Sequence, residues 1–258
     1  MNAAPLTRQE IITALIHGLK PLEFVNAMWE GGSAAFNRLD QWSDIDLQFD
    51  VVDDKVEETF QAVQGVLESL SPIDLLYRTP SLPWPGIFQI FYRLSRGGPY
   101  LLVDTAVIQH NAPDKLLERP LHGDAIFYFD KIDLAQQPEF DWAALNQRLI
   151  KRVASLRTTF DLYQCMVTKE VYRQHPLDAL YFYQALTLRP LVEALRILYT
   201  PARHAFGPHY AYIDLPAEVT QRLEPLYFVR DIPDLAARRA EVEAWFYQVL
   251  DQINLPEG

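Results

Sequence analysis

Asp44 and Asp46 stand one residue apart in DIDLQFDVV, an otherwise apolar run that reads as a β-strand. Side chains alternate across a strand, so both carboxylates fall on one face while Ile45, Leu47 and Phe49 fall on the other. Two carboxylates held this close repel each other, and a divalent cation is the usual means of keeping both ionised. Magnesium favours carboxylate, water and phosphate oxygens, so the ligand it would share with such a pair is a nucleoside triphosphate. On its own a D-x-D pair is more often what a solvated strand end carries.

Two further features bear on that choice. Upstream, Gly31, Gly32 and Ser33 leave one strand and enter a short helix, a bend whose backbone N–H groups and hydroxyl suit an anion. Downstream, Asp104 interrupts the apolar run LLVDTAVI, where an unpaired charge would cost several kcal/mol or be protonated. It is either a strand-end acid held by a structural hydrogen bond or a third carboxylate completing a two-metal site. Phosphate donors facing metal ligands are what phosphoryl or nucleotidyl transfer requires.

The elements that must position these groups follow from pattern. Ile11, Ile12, Leu15, Ile16 and Leu19 recur at helical spacing, with Thr7 and Glu10 at capping-box distance. LEFVNAMWE reads as a strand running into Gly31, and DDKVEETFQAVQGVLESL as an amphipathic helix with an acidic first turn. PIDLLYR, IFQIFYRLS and YLLVDTAVIQ are β-rich runs separated by the turn-formers TPSLPWPG and RGGP. The expected fold is α+β: residues 1–130 as a mixed or antiparallel sheet with flanking helices, and residues 131–258 as an all-α helical bundle. Pro190 should kink the second long helix of that bundle.

Composition narrows the function. In a chain of 258 residues, a formal net charge of -11 argues against a general nucleic-acid binder, which normally needs a basic stripe. One cysteine, Cys165, allows neither an intramolecular disulfide nor a cysteine zinc site, and the six histidines show no HExxH-type spacing. No run approaches the roughly 20 apolar residues that span a bilayer, and no signal-peptide pattern opens the chain. The expectation is a cytoplasmic, unprocessed protein without membrane or nucleic-acid partners.

The segment GGSAAFNRLDQWSDIDL, with the later Asp104, resembles the active-site signature of the DNA polymerase β-type nucleotidyltransferase superfamily. The plan of a small α/β domain before a helical one is similar to bacterial aminoglycoside and lincosamide nucleotidyltransferases. The resemblance implies that Gly32 and Ser33 hold the nucleotide phosphates, with Arg38 and Ser43 as retained members of the signature. It implies that Asp44 and Asp46 bind Mg2+, and that Asp104 binds a second ion or takes the acceptor's proton. Relatives often bring a basic residue from the start of the helical domain, here Lys151, to the phosphates. The implied activity is transfer of a nucleoside monophosphate, AMP from ATP or another NTP, to a hydroxyl of a small-molecule acceptor such as an antibiotic; homodimers occur among such relatives. Modification of a protein, or nucleotide binding without turnover, are the alternatives. Ala34, Phe36 and Asn37 replace the arginine or glycine often found there. Asn37 should tolerate a left-handed backbone. The aromatic, histidine-bearing loop TPARHAFGPHYAYIDLP could line an acceptor pocket or pack the bundle's ends.

Overall fold

Thr7 closes the first helix as its composition demands. Its hydroxyl accepts from the Glu10 N–H, and the Glu10 carboxylate accepts in return from the Thr7 N–H at 2.7 Å, so α1 (Arg8–Leu19) starts with two of its terminal donors satisfied. The computed structural model describes residues 4–136 and 139–256, in two compact units, Met1–Phe140 and Asp141–Gly258.

The first unit continues with β1 (Val25–Glu30), α2 (Gly32–Ala35), β2 (Ile45–Val51), α3 (Val56–Leu70), β3 (Ile73–Arg78), β4 (Ile87–Leu94), β5 (Leu102–Gln109), α4 (Arg119–His122) and β6 (Ile126–Asp130). The six strands form one mixed sheet in the order β3-β4-β5-β2-β1-β6. β2 and β5 run parallel and every other neighbouring pair is antiparallel. β6 is the strand that the pattern of strands above leaves out. Its apolar run is short, and what makes it a strand is the open edge of β1, where Phe129 pairs with Met28.

Each strand's alternation divides the sheet into two faces. Ile45, Leu47 and Phe49 of β2 are buried on one face, in a core with Ile11 and Leu15 of α1 and Phe60 and Val63 of α3. On the opposite face Ala27, Trp29, Ala106 and Ile108 pack with Leu117 toward one end of the sheet. Asp46 and Asp104 share that second face by parity, nearer the other end.

The second unit is helical: α5 (Trp142–Arg173), α6 (Pro176–Phe182), α7 (Arg189–Tyr199), α8 (Ala211–Asp214), α9 (Ala217–Leu223) and α10 (Ile232–Gln252). Pro190 acts differently from a simple kink. The stretch Tyr183–Leu188 winds as a π-helix, and Pro190 falls in the first turn of α7. Proline at position 190 cannot donate to the Leu186 carbonyl; the Gln164 amide of α5 does so instead, at 3.0 Å, and its own oxygen accepts from the Thr187 hydroxyl at 2.8 Å. No helix among the described residues is long and apolar enough to cross a membrane.

Candidate functional site

Parallel pairing of β2 with β5 sets the central geometry. Asp46 and Asp104 are direct cross-strand partners, so their side chains leave the same face of adjacent strands. Asp44 sits one residue before β2 rather than within it, and its Oδ1 accepts from the Leu102 N–H at 3.2 Å. That bond ties the first acid to the start of the strand that carries the third. The sequence-expected trio is therefore gathered at one end of the two parallel strands.

The glycine bend closes over the same point. The Gly31 N–H donates to the Asp46 carbonyl at 2.9 Å. Gly32 has φ +53°, and a Cβ there would run into Asp46 Oδ2. Only glycine satisfies both the left-handed backbone and the close approach. Ser33 follows in the single turn of α2, whose leading N–H groups have no partner within the helix. The Ala35 carbonyl at the end of that turn accepts from the Asp124 N–H at 2.8 Å, so the segment before β6 braces it.

Electrostatics separate these acids from a structural one on the same strand. Asp50, fully buried, accepts from Lys115 Nζ at 2.7 Å and from Asn26 at 2.8 Å, with His110 Nδ1 at 3.0 Å. Where Asp50 has a lysine, Asp104 has a neutral amide: Gln89 Nε2 donates to its two oxygens at 2.9 and 2.8 Å. Burial pushes the Asp104 carboxyl up to about 7; the Gln89 bonds oppose the shift, and the charges of Asp46 and Asp44 add to it. Asp46 is raised by burial and by Asp44, against a smaller opposing pull from Arg8. The trio is thus short of positive charge, and its chemistry, hard oxygen donors on a half-buried face, fits a divalent cation such as magnesium.

Arg8, Glu30 and Gln89 support the site without having been singled out by sequence. Arg8 Nη1 donates to the Asp44 carbonyl at 2.5 Å and its other nitrogen pairs with buried Glu30, which also accepts from the Tyr128 hydroxyl. Glu30 carried a readable signal, an acid closing an apolar strand just before two glycines. Arg8 and Gln89 carried none, because their roles depend on which strands and helices become neighbours.

The remaining sequence candidates lie as follows. Asn37 adopts φ +53°, and the Arg38 guanidinium lies over the Phe36 ring, 4.7 Å from its centroid. Ser43 donates to Asp40 Oδ1 at 2.8 Å and accepts from the Asp40 N–H at 2.9 Å, so its hydroxyl closes the turn that leads into Asp44. Lys151 is exposed on α5, in the second unit, beside Arg152, which is paired with Glu193. In the loop 200–216, buried Arg196 holds Asp214 and the carbonyls of Gly207 and His209, which gives that loop a packing role. Among the described residues, Glu170, His175 and Asp178 place one ligand atom each within 4.8 Å of one another. Arg173 already pairs with Glu170, and the group reads as the closing cluster of α5.

No protein-family model matches the chain, and no curated protein matches it. Among solved structures, the chain is similar to an aminoglycoside 6-adenyltransferase from Bacillus subtilis. The TM-score is 0.40 and the identity 12%, over 96% of this chain and 90% of that one.

Proposed function

We propose that the first unit is a nucleotidyl-transfer centre that uses Mg2+ and a nucleoside triphosphate, ATP in the first instance, to modify a hydroxyl of a small molecule. The observation that carries this reading is the convergence of Asp44, Asp46 and Asp104 opposite the Gly32 bend, which a Cβ would block. Asp44 and Asp46 would hold the metal, with Asp104 beside a second ion. Bound magnesium would supply charge neutralisation at the phosphate oxygens.

The chain's own groups divide the remaining work. The N–H groups of Gly32 and Ser33, with the Ser33 hydroxyl, hold the phosphates. Asp104, the cross-strand partner of Asp46, would bind the second ion or accept the proton of the acceptor hydroxyl. The acceptor oxygen bonds to the α-phosphorus as the bond to the departing pyrophosphate breaks. Arg38 belongs to this proposal as a further phosphate contact, and Ser43 as the residue that sets the turn before Asp44.

Isothermal titration of MgATP into the wild-type chain and into the Asp44→Asn, Asp46→Asn double variant tests the reading. Binding by the wild type and loss of at least tenfold in affinity in the variant is the expected result. Equal binding by both overturns it.

A further inference from the structure

The second unit has a cavity of its own. About 250 Å3 in volume, it is lined by Ala211, Tyr212, Leu223, Glu224, Tyr227 and Phe228, from α8, the end of α9 and the turn Glu224–Tyr227 that follows. The walls are mainly aliphatic carbon and aromatic ring, with one carboxylate. Tyr212 is 72% exposed and Phe228 66%, so two large rings stand open to solvent.

Both sides of the cavity are fixed from behind. On one side, buried Arg196 holds the Gly207 and His209 carbonyls and the Asp214 carboxylate. Tyr210, within that stretch, takes φ +59°, a left-handed conformation that bulky residues rarely adopt. On the other side, the buried Tyr183 hydroxyl donates to the Leu226 carbonyl at 2.9 Å and Arg238 donates to the Pro225 carbonyl. Backbone strain held by such contacts gathers where ligands are clamped, and walls ordered in advance lower the entropy lost on binding. Glu224 is the charge of the cavity. The Tyr212 hydroxyl donates to it, and the arginines nearest along the chain are engaged elsewhere. Arg222 lies over the Trp245 ring and pairs with Glu241, while Arg230 and Arg238 pair with Asp234.

From three aromatic rings and one carboxylate around a preformed apolar space, we infer that this cavity binds an organic cation whose nitrogen carries alkyl groups, a tertiary or quaternary ammonium. The negative faces of the rings attract such a nitrogen, and its alkyl groups leave water readily to fill the space between them. Glu224 balances the charge. A neutral ligand of the same shape forgoes both attractions. An amino sugar fits worse, because its primary ammonium and its hydroxyls would be left without partners against carbon. The cavity uses none of the three acids of the first unit, so its ligand binds whether or not those acids carry nucleotidyl transfer.

The test titrates the full chain, without nucleotide, and reads binding by saturation-transfer NMR. The probes are choline, the larger benzyltrimethylammonium, glucosamine, and dimethylbutanol, the neutral isostere of choline in which a tert-butyl group stands for trimethylammonium. At least one of the two quaternary cations should bind, dimethylbutanol should bind roughly tenfold more weakly than the better of them, and glucosamine should give no signal. Phe228→Ala should weaken the bound cation about tenfold, with Phe228→Tyr close to wild type, as loss and retention of a ring face require. Glu224→Gln should weaken the cation and leave dimethylbutanol within about twofold, since only the cation feels the carboxylate. Phe228 and Glu224 are exposed, so the variants should fold, and circular dichroism verifies it. Silence from both quaternary cations, binding of dimethylbutanol or glucosamine as strong as theirs, or an unchanged cation affinity in Phe228→Ala or in Glu224→Gln overturns the inference.

Discussion

At the scale of single residues, the site depends on a missing side chain as much as on the carboxylates. Gly32→Ala would place a methyl group against Asp46 Oδ2 and force an L-residue to φ +53°. The substitution displaces either the bend or the acid, and misplacement of about 1 Å at such a centre costs on the order of 100-fold in rate. Transfer activity should fall by that order, with MgATP affinity falling in the same variant. Asp104 makes a prediction of opposite character, one about stability. Its carboxyl is raised to about 7 in the folded chain, above the ordinary 3.8, so between those limits the folded state holds a proton that the unfolded state has released. Stability from this group is present at low pH and is lost as pH rises toward and through 7. The metal-free wild type should therefore melt at a lower temperature at about pH 8 than at about pH 5, to a degree that Asp104→Asn reduces. Thermal melts of the two proteins across that range check the sign.

At the scale of elements, Gln164 shows how one side chain repairs a break in a neighbouring helix. Its amide meets the Leu186 carbonyl that proline at 190 leaves without a donor, and its oxygen takes the Thr187 hydroxyl. Gln164→Leu strands two buried polar groups and should cost roughly 1–3 kcal/mol, read as a lower urea midpoint for the helical transition. The same contrast between local and long-range causes explains what could be read from sequence. Helix α1 was legible because Thr7, Glu10 and the apolar spacing are local signals. Strands β2 to β5 were legible from β-rich runs and turn residues, and the trio Asp44, Asp46 and Asp104 from acids set in apolar surroundings. β6 was not, since its five residues become a strand through the edge of β1. Nor was the contact of Gln89 with Asp104, because register between β4 and β5 is fixed by the folded sheet and not by any one segment. The π-helical turn was not legible either, and the Gln164 amide that meets it comes from a helix far away in sequence.

At the scale of the whole molecule, the formal charge of -11 meets a proposed substrate that is itself a polyanion. The long-range field of the chain repels MgATP, whereas the groups proposed to hold it act only within the bend and the carboxylate cluster. Screening over a Debye length of about 10 Å at 0.1 M salt weakens the first effect and leaves the second largely in place. Association should consequently speed up as ionic strength rises from about 10 mM to about 150 mM, the reverse of a protein that gathers phosphates with a basic surface. Stopped-flow mixing with a fluorescent ATP analogue and Mg2+ measures that rate directly. A rate that falls with salt would show that a positive local field, with Arg38 as its source, outweighs the net charge. A charge-neutral variant at Arg38 would then test that source: if the rise with salt returns, Arg38 is the side chain that draws the nucleotide in.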